Sequence, residues 1–328
     1  MTKKILLFLL IFSWHIASSQ KYLDEEKSGY KEGFIPELKA LPESLNFLLM
    51  GDFGRFGQYY QKEVAEQMGK AAMTTDADFT ISVGDNFYPN GVQSTTDHQW
   101  ISSFEDIYKN ISLHHDWYVT LGNHDYRGNI QAQLDYSNLS RRWNMPDKYY
   151  SKTFSLKNGD KILMVFMDTN PYIKSYHDPE SSMYENISAQ DTAAQTLWLI
   201  SQLQNKDAAI KWKIVVGHHP LYSGGKRKKS PDTIAFAAQF ADIFDRYQVD
   251  AYLCGHEHDL QIIKPEGRYT TQFLSGAASE VRPSGQTEGT LFAQAEAGFM
   301  TFSISEKDML IQVVNARGEI INTSEIKK

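Results

Sequence analysis

Five times along the chain a short apolar or β-rich run ends in glycine, and a side chain able to bind metal follows at once. Phe47–Met50 leads to Gly51-Asp52, Phe79–Val83 to Gly84-Asp85, and Trp117–Leu121 to Gly122-Asn123. Ile214–Val216 leads to Gly217-His218, and Ala251–Cys254 to Gly255-His256, with His258 two residues on. One Gly-Asp pair would be an ordinary turn, and one histidine an ordinary core residue. Five such pairs, all behind strand-like runs, point to chemistry. Mixed carboxylate and imidazole donors suit Fe, Zn or Mn better than Mg or Ca. Asp52, Asp85, Asn123, His218, His256 and His258 exceed what a single tetrahedral ion takes. They suffice for two ions sharing a bridging carboxylate. Two ions ~3.5–4 Å apart are a common device for hydrolysing phosphate esters.

Such a constellation needs strands that all deliver their ends to one place. Runs of this length and apolarity read as buried strands. Helical spacing is predicted over 58–73, 97–109, 189–204 and 233–247, the last with Phe236, Phe240, Ile243, Phe244 and Tyr247 on one stripe. Further strands are predicted at Phe154–Leu156, Lys161–Met167, Phe273–Ser275, Gly298–Ser305 and Met309–Asn315. Alternating strands and helices imply an α/β layered domain. In open α/β sheets, ligands gather beyond the carboxyl ends of the strands. No Gly/Ser linker divides the chain, so one catalytic domain is expected over 44–328, behind a polar lead-in over 20–43.

Read together, the blocks Gly51-Asp52-Phe53-Gly54, Gly84-Asp85-Asn86-Phe87-Tyr88, Gly122-Asn123-His124-Asp125, Val215-Val216-Gly217-His218 and Gly255-His256-Glu257-His258 resemble the low-molecular-weight purple acid phosphatases. These are the tartrate-resistant type 5 group of the calcineurin-like metallophosphoesterases. All five blocks are intact, in the family's order, and the resemblance covers about residues 44 to 318. It implies an α-β-β-α sandwich of four layers with mixed sheets and ligands at the C-terminal ends of strands. It implies Fe(III) held by Asp52, Tyr88 and His258, with Asp85 bridging. Asn123, His218 and His256 would join Asp85 on a divalent ion: Fe, Zn or Mn. His124 would contact the substrate phosphate or the leaving group.

Other metallophosphoesterases open with Asp-x-His, whereas position 54 here is glycine. Tyr88 can replace that ligand as a phenolate. A free phenol has a pKa of ~10, so only a strong Lewis acid keeps it ionised in acid. The implied reaction is hydrolysis of phosphate monoesters by a metal-bound hydroxide, with Asp85 and His124 at its centre. A phosphodiesterase or nucleotide hydrolase on the same centre, or a non-catalytic secreted metal-binding protein, are the alternatives. The animal members carry another histidine past the His-Pro turn; here Leu221–Gly225 runs into Lys226-Arg227-Lys228-Lys229 with none. Such a basic run is ordinarily a solvated loop; the alternative is that it takes over attraction of phosphate. His219 is a second candidate for substrate binding, and Arg55 and Arg127 follow metal-binding blocks closely enough to face the cleft.

Composition bounds the rest. With 41% apolar and 22% charged residues the chain is an ordinary globular protein, not a disordered or fibrous one. A single cysteine rules out an intrachain disulfide and a Cys-based zinc cluster, and Cys254 reads as a buried thiol. A formal charge of −7 gives no reason to expect nucleic acid as a partner. Lys3 and Lys4, the apolar run Ile5–Phe12 and Ala17-Ser18-Ser19 have the order of a signal peptide over 1–19. The expected product is exported, secreted or periplasmic. It would be a monomer with no stable membrane anchor after cleavage, acting on a small phosphate monoester or a phosphoprotein.

Overall fold

The computed structural model describes residues 33–328. The segment read as a signal peptide lies outside the described residues. The strands in chain order are β1 (Leu45–Met50), β2 (Phe79–Ser82), β3 (Asp116–Val119), β4 (Trp143–Asn144), β5 (Tyr150–Ser155), β6 (Lys161–Phe166), β7 (Ile210–Val216), β8 (Ala251–Cys254), β9 (Leu260–Ile263), β10 (Thr271–Ser275), β11 (Thr290–Gln294), β12 (Gly298–Ile304), β13 (Asp308–Asn315) and β14 (Ile320–Lys327). The helices are α1 (Gln61–Thr75), α2 (Ile130–Tyr136), α3 (Tyr184–Ile187), α4 (Thr192–Leu203) and α5 (Pro231–Arg246).

The strands form two seven-stranded sheets, β14-β13-β12-β1-β2-β3-β4 and β11-β9-β10-β8-β7-β6-β5. Both are mixed: β1, β2, β3 and β4 run parallel, as do β6, β7, β8 and β10, while β12 pairs antiparallel with β1, β5 with β6 and β9 with β10. The central strands are buried on both faces, which is why they read as continuous apolar runs rather than alternating ones. Phe302 of β12 meets Phe273 of β10 edge-on at 5.2 Å between ring centres, tying one sheet to the other. Phe79 of β2 stacks on Phe154 of β5 at 4.4 Å. Val64, Met68, Ala71 and Ala72 of α1 pack into the core around the first sheet. Leu199 and Leu203 of α4 and Phe236, Phe240 and Phe244 of α5 cover Leu163, Val165, Val215 and Tyr252 of the second. The layers are therefore helix, sheet, sheet, helix.

One local expectation differs. The helix predicted over 97–109 is a single wide turn at Trp100–Glu105. Trp100 stacks face to face on Tyr136 at 3.6 Å and Phe104 meets Trp143 edge-on, so tertiary aromatic contacts outweigh helical propensity. The lead-in is tied down over its last part: Ile35 and Leu38 are buried, and the N–H groups of Lys39 and Leu41 donate to Gln312 and Ser303 side chains.

Candidate metal centre

Every candidate side chain sits just past the C-terminal end of a parallel strand. Asp52, Asp85 and Asn123 follow β1, β2 and β3 of one sheet; His218, His256 and His258 follow β7 and β8 of the other. The turns are cross-bonded: Asp52 N–H donates to Gly84 O at 3.0 Å, Phe53 N–H to Asp85 O at 3.2 Å, and Gly255 N–H to His218 O at 3.0 Å. Asp52, Asp85 and His256 all have left-handed backbone, with φ of 58°, 51° and 72°. Such conformations cost on the order of 1–3 kcal/mol each and persist where surrounding structure enforces them. Buried rings anchor the turns from behind: Phe53 meets Tyr108 edge-on, and Phe87 packs against Trp100 and Trp143.

Asp85 organises the centre, because its two oxygens face two different donor groups. Tyr88 Oη lies 3.0 Å from Asp85 Oδ2, 3.1 Å from Asp52 Oδ1 and 3.2 Å from His258 Nε2. On the other side, Asp85 Oδ1 lies 3.5 Å from His218 Nε2. His218 Nε2 lies in turn 3.3 Å from Asn123 Oδ1 and 3.1 Å from His256 Nδ1. His218 Nδ1 is 2.8 Å from Val83 O, so it carries the proton and leaves Nε2 free as a donor to metal. A side chain at position 54 has no room: a Cβ there would sit 1.9 Å from Asn86 O. Gly54 instead accepts a hydrogen bond from Tyr88 N–H at 2.9 Å, and the Asn86 carbonyl occupies the space.

The electrostatics fit a site built for cations. Burial and the nearby Asp85 push the Asp52 carboxyl up to about 7. Burial opposes ionisation of Asp85 too, but the His218 and His124 rings and the His124 N–H prevail and hold it low. Burial and both carboxylates drive the Tyr88 phenol well above its usual 10.0. Burial depresses His256 strongly and takes His258 down to about 4, so the imidazoles are neutral as metal ligands must be. Two buried carboxylates, a phenol that resists ionising and the neutral His256 and His258 form a donor set short of positive charge.

His124 is placed beside this set. Its backbone N–H donates to Asp85 Oδ1 at 2.7 Å, its Nδ1 lies 2.6 Å from Pro89 O, and its Nε2 is 4.0 Å from Asp85 Oδ2. The carbonyl fixes the proton on Nδ1 and leaves Nε2 turned toward the centre. His219 is buried with both ring nitrogens engaged, at 2.7 Å from Thr169 Oγ1 and 3.0 Å from Tyr176 Oη. Cys254 is buried, as its strand position implies. The basic run divides: Lys226, Lys228 and Lys229 are exposed, while Arg227 turns inward and donates to His256 O and Glu257 Oε2.

Several positioning residues escaped sequence reasoning. Asp125 accepts N–H bonds from Gly122, Asn86 and Phe87 and an amide bond from Gln133, clamping the Asp85 turn to the Asn123 turn. Thr169, beyond β6, accepts from the N–H groups of His218 and His219. Glu280 lies 3.3 Å from His258 Nδ1, not aligned for a hydrogen bond, and pairs with Arg55 at 2.7 Å. Arg55 stacks its guanidinium 3.7 Å from the centre of the Tyr88 ring. The acidic fourth position of the Gly-Asn-His-Asp block and the place of Arg55 just behind the first metal-binding block are the sequence signals for this support.

The family model for calcineurin-like phosphoesterase matches residues 45–260. Purple acid phosphatase 7 of Arabidopsis thaliana is 34% identical over 99% of this chain and 96% of its own length. Tartrate-resistant acid phosphatase type 5 of Homo sapiens is 32% identical over 84% of this chain and 89% of its own. Among solved structures, GAP50, the anchor in the inner membrane complex of Plasmodium, superposes with a TM-score of 0.74 at 23% identity, over 88% of this chain and 89% of that one. Purple acid phosphatase PPD1 from yellow lupin seeds gives 0.62 at 15% identity, over 87% of this chain and 54% of that one.

Proposed function

The chain belongs to the calcineurin-like phosphoesterases and, within them, to the purple acid phosphatases; from that membership we propose that it hydrolyses phosphate monoesters at a dinuclear Fe(III)–M(II) centre under acidic conditions. The fold alone does not carry activity, since an anchor protein shares it. The observation that carries the reading is Asp85, whose Oδ2 faces Tyr88 and whose Oδ1 faces His218. Asp52, Tyr88 and His258 would complete the ferric half. Asn123, His218 and His256 would complete the half that takes Fe, Zn or Mn. The two cations would supply the Lewis acidity that ionises water and neutralises phosphate oxygens.

The residues' own contributions follow from their atoms. Asp85 keeps the two halves in fixed relation. The turns holding Asp52, Asp85 and His256 are preset, so no reorganisation is needed when charge develops. His124 Nε2, freed by the Pro89 carbonyl, can accept a hydrogen from a protonated phosphate oxygen or, once protonated, hand its proton to the departing oxygen. His219, with both nitrogens occupied, acts as a wall. We also propose residues 1–19 as a cleaved signal, 44–328 as one catalytic domain, and an exported product; no described helix is long and apolar enough to cross a membrane.

Turnover of p-nitrophenyl phosphate beside bis(p-nitrophenyl) phosphate tests this. The monoester is expected to be the better substrate in acid, with activity lost on chelation and restored by iron plus a divalent ion. A preference for the diester would favour the phosphodiesterase reading. Two ions bound with no turnover of either would favour a non-catalytic metal protein.

A further inference from the structure

A cavity of about 240 Å³ opens beside Asn123 and His256, on the His218 side of Asp85. Its far walls carry Arg127, Tyr176, Arg227 and Asp232, with Ile173 and Met183 as the apolar part. Ligand pockets usually begin at ~300 Å³, so a compact leaving group fits here and a folded partner does not.

The two arginines reach it from unrelated segments. Arg127 belongs to the turn after Asn123; its Nη1 lies 3.2 Å from His124 Nδ1, a nitrogen already committed to Pro89 O. Among the described residues no carboxylate lies within ion-pair distance of Arg127. Arg227 is fixed from below, through Nη1 on His256 O at 3.0 Å and on Glu257 Oε2 at 3.1 Å. Its Nε and Nη2 have no acceptor among the described residues. Asp232 is the one acid of the wall, and its carboxylate accepts from Ser175 Oγ at 2.7 Å in the first turn of α5. A guanidinium cannot release a proton near neutrality, so these groups bind charge and do not act as acids.

We propose that Arg127 and Arg227 form a subsite for a second anionic group, a carboxylate or a phosphate, on the leaving-group side of the substrate. The preferred substrates are then compact phosphomonoesters that carry another negative charge. The inference rests on the acid-phosphatase reading and narrows its substrate class. Guanidiniums pair with carboxylates and phosphates through two parallel N–H bonds, which suits them to this selection.

The test compares 3-phosphoglycerate with glycerol 3-phosphate, which differ in a carboxylate against a hydroxymethyl group on the same carbon skeleton. Phosphate release is measured for the wild type and for Arg127→Gln and Arg227→Gln. The wild type is expected to favour 3-phosphoglycerate in kcat/KM. Each variant is expected to lower the ratio of the two substrates by about tenfold, the scale of a lost charge-assisted hydrogen bond. Metal content is measured alongside, because Arg227 holds the His256 carbonyl; if Arg227→Gln loses metal, Arg127→Gln decides. A wild-type ratio near one, or an equal loss on both substrates in the variants, overturns the inference. The equal loss would assign the guanidiniums to the scissile phosphate. Turnover of neither substrate by a fully metallated wild type would instead sink the acid-phosphatase reading itself.

Discussion

Tyr88 shows how one residue type sets the chemistry of its neighbours. Buried between Asp52 and Asp85, its phenol resists ionising, and only a strongly polarising cation would reverse that. The missing side chain at position 54 and the phenol are one structural fact, since Asn86 O occupies the space a Cβ would need. Replacing Tyr88 with phenylalanine is expected to abolish visible charge-transfer absorption while leaving the divalent ion in place. A visible spectrum with metal analysis checks this; a variant that keeps its colour would remove Tyr88 from the ligands. Arg55 lies over the same ring, where its charge favours a phenolate. Arg55→Met is therefore expected to shift the absorption maximum without lowering iron content, and an unmoved maximum would count against that role.

At the level of elements, the site depends on turns that bond to one another more than on the strands that deliver them. Asp125 accepts three backbone N–H groups from two of those turns. Asp125→Ala would leave these buried donors unpaired, at about 1–3 kcal/mol each. The expected result is a loss of at least about 3 kcal/mol of stability, read as a fall in Tm, together with weakened metal binding. An unchanged Tm would mean the turns hold without it. The strand ends and helices α1, α4 and α5 were legible because periodicity and glycine punctuation coincide there. β9 was hidden because Leu260–Ile263 follows His258 with no break in pattern. β14 was hidden because Ile320–Lys327 is a half-buried edge strand with mixed polar and apolar residues. The helix read over 97–109 is shorter and wider than its spacing implies, Trp100–Glu105, because Trp100 and Phe104 are held by aromatic packing. The roles of Thr169 and Glu280 depend on contacts between distant segments, which spacing does not encode.

For the whole molecule, the opposite end of the sheets responds to acid. His115, just before β3, is half-buried with Nε2 2.8 Å from Thr80 Oγ1, and burial lowers its pKa from 6.5 to about 4. The unfolded chain therefore binds a proton that the folded one refuses between those values. The His115 contribution is fully present above pH 6.5 and is lost as pH falls toward 4, by about 3 kcal/mol at most. His115→Gln keeps a hydrogen-bonding partner for Thr80 and removes the titration. Its stability, measured by denaturant unfolding, is expected to fall less steeply than that of the wild type across that window. Parallel curves would show that His115 does not set the acid limb.

All of this places one carboxylate between two donor sets, each drawn from the turns of both sheets. Metal content per chain tests that most directly, measured on the wild type, Asp85→Asn, Tyr88→Phe and His256→Ala. The wild type is predicted to hold two ions, Tyr88→Phe and His256→Ala to lose one each from opposite halves, and Asp85→Asn to lose both. An Asp85→Asn protein that keeps two ions, or a wild type fully active with one, would contradict the account.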